Sequence, residues 1–223
     1  MGILNPFAAN FAVAQGAVQL VYTCPPTKSH ALVDLSFYKD NTNDATIQVA
    51  LSTAAAGGLT SVDYFMDDIV LLGVNKTAEL TKVIVGKNEN LYVKLVAGTA
   101  NVRCSGVEEL NSKVGQAGRL SASNIAVANT QTKIFECVTA GAAYCSTSVT
   151  LFNSSATTNA TISLWVSTLA TPGAADKVLE MTVIASDTVV IENLITLPGE
   201  KIYAKCTTTN CEYFVNGVIV LGS

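Results

Sequence analysis

The chain has 223 residues, of which 49% are hydrophobic and 13% are charged, and its formal net charge is −4. The charged fraction is about half of the ~25% that is usual in globular proteins, so the composition predicts a folded chain with a sizeable core and argues against disorder. The 13 Lys and Arg residues are scattered and form no basic stripe, so we expect no nucleic-acid partner.

The N-terminal segment is apolar but does not have the pattern of an export signal. It has no basic residue before its apolar part, and Pro6 interrupts it. No apolar run reaches the roughly 18 residues that span a bilayer, so we expect no membrane partner. Met1–Phe7 precedes the first repeated motif and has no matching segment in the second half. We predict an arm that docks on a neighbouring subunit through Ile3, Leu4, Pro6 and Phe7, with disorder or packing on its own domain as the alternative.

Five short motifs recur in the same order 111 to 115 residues later in the chain. A drift of a few residues is what small loop insertions produce, and five matches in order argue against chance. The sequence therefore predicts an internal duplication, with an arm and first domain at 1–112, a linker at 113–118 and a second domain at 119–223. The pairs are Asn10–Ala14 with Asn124–Ala128, Val21–Cys24 with Ile134–Cys137, Ala45–Thr53 with Ala160–Thr168, Leu91–Lys94 with Ile202–Lys205, and Gly106–Val107 with Gly217–Val218.

Each half has the residue pattern of β structure. Alternation with period two places Ile47, Val49 and Leu51 on one face of a strand. It places their counterparts on the equivalent face, namely Ile162, Leu164 and Val166. Turn signals rich in Gly, Pro, Asn and Asp separate such segments at roughly regular spacing. The predicted fold class is all-β, with two tandem β-sandwich domains of jelly-roll or immunoglobulin-like type.

Candidate catalytic and metal-binding residues are few. His30 is the single histidine, and its position after a Pro-containing segment predicts a surface turn residue. Asp63, Asp67 and Asp68 cluster without an identifiable partner acid for glycoside hydrolysis. The loop Asp40–Asp44 has oxygen ligands that suit Ca²⁺, but a hairpin connection explains it as well. We expect no catalytic, cofactor or metal site and no enzyme activity.

The six cysteines form no C-x-x-C pair, and with one histidine they do not suggest a zinc site. Several lie among apolar or β-branched residues. We therefore expect small, buried, reduced thiols in a protein made in a reducing compartment. The cysteines are Cys24, Cys104, Cys137, Cys145, Cys206 and Cys211.

Short segments with a common layout recur in both halves. In the first half they are Val21–Lys28, Ala31–Phe37, Asn43–Val49, Glu89–Lys94 and Thr99–Gly106. In the second half Thr158–Ile162 and Gly199–Tyr203 follow the same layout, whereas Cys137–Gly141 lacks the proline of the first half. This layout resembles that of a family of bacteriophage virion structural domains. The resemblance implies a virion component without catalytic residues.

Three functional hypotheses follow. The first is a structural virion protein of a bacteriophage (capsid decoration or cement, neck, or tail and fibre attachment) that binds other virion proteins and itself, as a homo-oligomer, and is assembled in the host cytoplasm. The second is a secreted bacterial adhesin or surface protein with immunoglobulin-like repeats, which native disulfides would favour. The third is a carbohydrate-binding module of a tail spike, which would need exposed aromatic side chains.

Overall fold

A computed structural model describes residues 3–39, 43–73 and 75–222 of the chain. The chain divides into two compact units, Met1–Ser112 with Ala117–Arg119, and Lys113–Gln116 with Leu120–Ser223. In the described residues both units consist of β strands, and the helical elements are short 3₁₀ turns at Ala56–Gly58, Ser61–Asp63 and Ala174–Asp176.

The first eight strands form two four-stranded sheets, with the orders β1-β8-β3-β6 and β2-β7-β4-β5. Their neighbours pair antiparallel. Eight strands in two such sheets, with the chain passing repeatedly from one sheet to the other, form a jelly roll. The strands are β1 Ile3–Val13, β2 Val18–Thr23, β3 His30–Lys39, β4 Ala45–Ser52, β5 Tyr64–Leu71, β6 Lys76–Gly86, β7 Asn90–Ala97 and β8 Ala100–Leu110.

The following eight strands have the same arrangement. Their sheets have the orders β9-β16-β11-β14 and β10-β15-β12-β13, which repeat the first pair strand for strand. An immunoglobulin domain has seven to nine strands in a different sheet order, so the immunoglobulin-like alternative is wrong and the jelly-roll alternative is confirmed. The strands are β9 Val114–Asn124, β10 Thr132–Glu136, β11 Ala142–Asn153, β12 Ala160–Ser167, β13 Lys177–Val183, β14 Thr188–Thr196, β15 Lys201–Cys206 and β16 Cys211–Leu221.

The inward faces of β4 and β12 are those that alternation predicts. Ile47, Val49 and Leu51 are fully buried, as are Ile162 and Leu164. Val166, predicted on the same face of β12, is only half-buried. It follows the point, between Leu164 and Trp165, where the register of β12 with β13 shifts.

The predicted N-terminal arm is part of the first sandwich. Ile3–Val13 forms one strand, which pairs with β8 without a register shift from Ile3↔Leu110 to Val13↔Ala100. Its place in the sheet is the place of β9 in the second unit, so residues 3–9 have counterparts in the second half. The match between β1 and β9 was not apparent from the sequence, because an edge strand needs little alternation of apolar and polar residues.

The predicted linker is also mostly strand, because residues 114–118 lie in β9 and the connection from β8 is Asn111–Lys113. The glycine that suggested flexibility has a packing role instead. Gly118 has φ +94, and a Cβ there would lie 1.8 Å from Glu89 Oε2. Only glycine permits this close approach of the backbone.

Fine details of the backbone recur between the units. Asn75, Lys82 and Asn88 have positive φ, and so do Ser186, Asn193 and Gly199, each 111 residues later. Lys82 and Asn193 lie where β6 and β14 shift register against β3 and β11. Such bulges bend an edge strand at a fixed point.

The cysteines differ from the prediction of six reduced thiols. Cys137 is disulfide-bonded to Cys145, and Cys206 to Cys211, whereas Cys24 and Cys104 are free and buried. Sequence spacing gave no sign of the bonds, because strands from different sheets bring the partners together.

We predict that Leu164→Ala destabilises the protein by about 2–5 kcal/mol, because Leu164 is fully buried in the core of the second unit and truncation leaves a cavity. Leu169→Ala is the matched control, since Leu169 is 56% exposed. Denaturant unfolding measures both variants. Equal losses in the two would contradict this placement of the core.

Candidate assembly surface

Polar side chains connect the two sheets of the first unit at one end. Glu108 on β8 accepts hydrogen bonds from Asn5 Nδ2 on β1 at 3.0 Å and from the Tyr22 hydroxyl on β2 at 3.2 Å. Lys28 Nζ lies 3.7 Å from the same carboxylate. Since β2 belongs to the opposite sheet, this buried carboxylate joins the two layers.

Next to this carboxylate, Phe7 stacks on the Tyr22 ring with 4.3 Å between ring centroids. Burial, with the nearby Cys24 and Glu108, raises the pKa of Tyr22. Burial is also the main cause that raises the pKa of the Cys24 thiol to about 11. Both groups are therefore protonated at neutral pH, which suits a structural role and not that of a nucleophile.

The sequence predicted that His30 lies in a surface turn, and this prediction is wrong. His30 begins β3 and is 5% exposed, with Nε2 3.5 Å from Glu109 Oε2 and Nδ1 3.1 Å from Ser29 Oγ. Burial lowers the pKa of His30, and the Glu109 carboxylate offsets this only in part. Its neighbour Ser29 donates to the Glu109 carbonyl and accepts from Asn111 N–H, so the group ties β3 to β8.

The buried carboxylates also hold backbone in place. Glu89 accepts from the N–H groups of Gly86 at 2.8 Å and Arg119 at 3.0 Å. Burial raises the pKa of Glu89, although these N–H groups and Arg119 oppose the shift. Asp63 caps its 3₁₀ turn through Thr60 N–H at 2.7 Å and forms an ion pair with the Arg119 guanidinium. Burial opposes ionisation of Asp63, but the hydrogen bonds that it accepts prevail and lower its pKa.

The remaining predicted ligands are the acidic residues of the Asp40–Asp44 loop and of β5. Asp40 lies outside the described residues, and Asp44 accepts from Gly73 N–H at 2.9 Å. Asp67 and Asp68 lie in the strand β5, which begins directly after the turn that Asp63 caps. Within residues 3–39, 43–73 and 75–222, no three His, Cys, Asp or Glu side chains are grouped so that they could hold a metal ion.

Trp165, the one tryptophan, lies inside the second unit and is 5% exposed. Lys177 Nζ lies 5.5 Å from the centre of its ring. The ring is thus occupied by contacts of its own domain. This placement disfavours Trp165 as the stacking platform that the carbohydrate-binding hypothesis would need.

The predicted assembly residues lie together in β1. Pro6 is exposed and Phe7 is half-buried against Tyr22, whereas for Ile3 and Leu4 the structure describes only the backbone. Their role in assembly stays a prediction. Phe7 contributes to the packing of its own sandwich, which was the alternative considered for the segment.

The edge formed by β1 lacks the usual protection. Its 11 residues, ILNPFAANFAV, include no charged side chain, and the register with β8 has no bulge. The opposite edge strand of the same sheet, β6, carries Lys76, Glu79 and Lys82 and a register shift. Natural proteins use charges, bulges and prolines to block pairing at sheet edges, and β1 has only Pro6.

Large apolar side chains are exposed on both units. Single exposed apolar residues are common on protein surfaces. Here only 13% of the residues are charged, so few charged side chains lie between the exposed apolar ones. Most lie on strands, which gives the surface of the protein a weakly polar character. On strands they are Leu20, Leu32, Tyr38, Val70, Val96, Leu110, Tyr144, Val178, Val190 and Ile195.

None of the helical elements in the described ranges is long and apolar enough to cross a membrane.

No protein-family model matches the chain, and no curated protein matches it. Among solved structures it is similar to the STIV MCP, with 7% identity and a TM-score of 0.42 over 99% of this chain and 97% of that chain. It is similar to the major capsid protein P2 from Bacteriophage PM2, with 11% identity and a TM-score of 0.42 over 100% and 98%. A chain of Sulfolobus Turreted Icosahedral Virus gives 7% identity and a TM-score of 0.39 over 99% and 91%.

We predict that Glu108→Gln destabilises the protein by about 1–3 kcal/mol, because Tyr22, Asn5 and Lys28 lose the charge of the buried carboxylate that they contact. Glu79→Gln on the exposed part of β6 is the control and should change the free energy of unfolding by less than about 0.5 kcal/mol. Chemical denaturation checks both, and an unchanged Glu108 variant would show that the carboxylate does not hold the sheets.

We predict that His30 makes the protein less stable as pH falls below about 6.5. The unfolded chain binds the proton more readily than the folded one, because burial lowers the pKa of His30 in the folded state. This stability is complete above the unfolded pKa and is lost as pH falls towards the folded pKa. The difference in unfolding free energy between wild type and His30→Asn, measured from about pH 8 to 5, should shrink with falling pH. Parallel profiles would contradict the prediction.

Proposed function

We propose that the chain is a structural protein of a virus particle, which assembles with copies of itself and with other virion proteins. The observation that carries this proposal is the sheet order, since each unit is an eight-stranded jelly roll. Jelly rolls serve as viral capsid, lectin and cupin domains. The fold alone does not distinguish among these three functions, so the distinction must come from the side chains and the surface.

The buried polar groups favour a structural role. Glu108, Glu89, Asp63 and His30 each bind backbone or side chains of nearby strands or turns. Their partners are explained by holding the sandwich together. They do not converge on an open cleft in the described part of the chain, as the residues of an enzyme or lectin site would.

The surface favours assembly. An uncharged edge strand is a template for pairing with another chain, and weakly charged, partly apolar faces suit burial against neighbours. We propose that β1, which contains Ile3, Leu4, Pro6 and Phe7, is one of the surfaces used. Pro6 limits pairing at one end of that edge because it has no N–H group.

We also propose that the two units arose by internal duplication. The sequence suggests the boundaries 1–112, 113–118 and 119–223, and we propose that the second copy begins with β9, after the connection Asn111–Lys113. The repeated sheet order and the recurring positive-φ positions support this. Side-chain details recur as well. Tyr92 OH donates to Ala54 O at 2.7 Å, and Tyr203 OH to Leu169 O at 2.9 Å. Gly106 and Gly217 each lie against a carbonyl oxygen of the neighbouring strand.

Within the virion class we propose a bacteriophage particle, on the basis of the sequence resemblance. Capsid decoration, neck, and tail or fibre attachment differ in copy number per particle, which quantitative mass spectrometry of purified particles measures. The disulfides of the second unit favour the secreted adhesin as a second candidate. The jelly-roll order argues against its immunoglobulin-like form.

Native mass spectrometry and electron microscopy of the purified protein test the proposal. We expect a defined oligomer or shell-like assembly under conditions that keep the chain folded. A protein that stays monomeric at high concentration, and is absent from particles of its host's viruses, would contradict it. Glycan binding without assembly would favour the carbohydrate-binding alternative instead.

We predict that Ala8→Pro with Asn10→Pro weakens assembly while the first unit stays folded. These residues share the parity of Pro6 in an unshifted strand, so we expect their N–H groups to point away from β8. Ala9→Pro has the opposite parity and should instead destabilise the unit by removing a ladder hydrogen bond. Analytical ultracentrifugation and thermal unfolding separate the two effects. Unchanged assembly in the folded double variant would exclude β1 as a contact.

A further inference from the structure

The two disulfides of the second unit both cross between its sheets. Cys137 follows β10 and Cys145 lies in β11, and these strands belong to different sheets. Cys206 ends β15 and Cys211 begins β16, which again belong to different sheets. Each bond therefore ties one layer of the sandwich to the other.

The bonds lie at opposite ends of that sandwich. On β11, Cys145 pairs with Ile219 of β16, whereas Cys211 pairs with Asn153. These two positions on β11 are eight residues apart, which at ~3.3 Å per residue is roughly 26 Å. All four cysteines are buried in the core cluster of the unit. The two sheets are thus fastened at both ends.

The first unit has half of one such pair. Cys24 N–H donates to Glu89 O at 3.0 Å, and Cys137 N–H donates to Glu200 O at 3.1 Å, so the two cysteines hold the same place. Across from Cys24, the position of Cys145 is taken by Ala31, which pairs with Glu108 as Cys145 pairs with Ile219. Glu108, with Tyr22 and Lys28, connects the sheets at this end instead.

We propose that oxidation of Cys137 with Cys145 and of Cys206 with Cys211 is a modification that locks the second unit alone, so that the redox environment sets its stability and leaves the first unit unaffected. In each step two thiols lose two protons and two electrons and form one S–S bond. A low-molecular-weight disulfide such as glutathione disulfide accepts them and leaves as two thiols. Because the sulfurs are buried, the exchange takes place during folding or local opening. The proposal holds whether or not the chain is a virion protein.

Counting thiols tests the modification directly. After incubation with glutathione disulfide, the denatured but unreduced protein should take up two alkyl groups, on Cys24 and Cys104. After reduction it should take up six. Peptide mapping identifies the labelled residues. Six labels without reduction, or pairings other than these two, would overturn the proposal.

Calorimetry tests the consequence. Reduction should lower the unfolding temperature of one transition by about 10 °C or more and leave a second transition in place. The variant with Cys137, Cys145, Cys206 and Cys211 all changed to Ser should match the reduced protein without added reductant. Cys24→Ala with Cys104→Ala is the matched control and should keep the full response to reductant. A reductant-insensitive wild type, or a response lost in this control, would overturn the proposal.

Ala31→Cys provides a second and independent variant. If the positions correspond as assigned, it gives Cys24 a partner and creates a third bond between sheets. The unreduced protein should then take up one alkyl group, on Cys104, and the first unit should become sensitive to reductant. Three labelled thiols in the folded variant would overturn the assigned correspondence between the units.

Discussion

The structure depends on keeping two four-stranded sheets face to face in each unit. Each sheet has one apolar face, and burying that face against the other sheet is the main source of stability. The inward residues of the central strands supply that burial, with Ile47 and Leu51 in the first unit and Ile162 and Leu164 in the second. The connections of a jelly roll pass repeatedly from one sheet to the other, so the layers cannot separate without breaking the core.

Both units have the same sandwich fold, but different side-chain chemistry connects the two sheets in each of them. In the first unit, the Glu108 carboxylate accepts hydrogen bonds from Asn5 and Tyr22, which lie in different sheets, and forms an ion pair with Lys28. In the second, covalent bonds cross between the layers. A buried carboxylate with hydrogen-bonded partners keeps a unique geometry but is sensitive to the loss of any partner. A disulfide acts largely on the unfolded chain, by limiting its freedom, and depends on the redox environment.

The low fraction of charged residues also determines the character of the protein surface. The chain has few charged residues, and its buried carboxylates bind backbone and side chains of strands and turns. The solvent-facing sides of the strands carry apolar side chains such as Leu32 and Ile195. The edge of β1 has no charge to discourage another strand, whereas β6 has three charged residues and a bulge. Exposed apolar strand faces and an uncharged edge strand are regions that a partner chain can cover.

Sequence alone determined the β character, the repeat of motifs and the inward faces of β4 and β12, because period-two alternation is a local property of the chain. It did not reveal β1 as a strand, since Pro6 and a run of small residues mask alternation at an edge. It placed His30 on the surface, because burial depends on Glu109 and Ser29, one of which is 79 residues away. Only the tertiary structure decided which cysteines are partners, that Gly118 serves close packing and not flexibility, and that Asp63 pairs with Arg119. The physical reason is common to all of these: each depends on which strands and loops the sheet order brings into contact, and the local sequence does not encode that order.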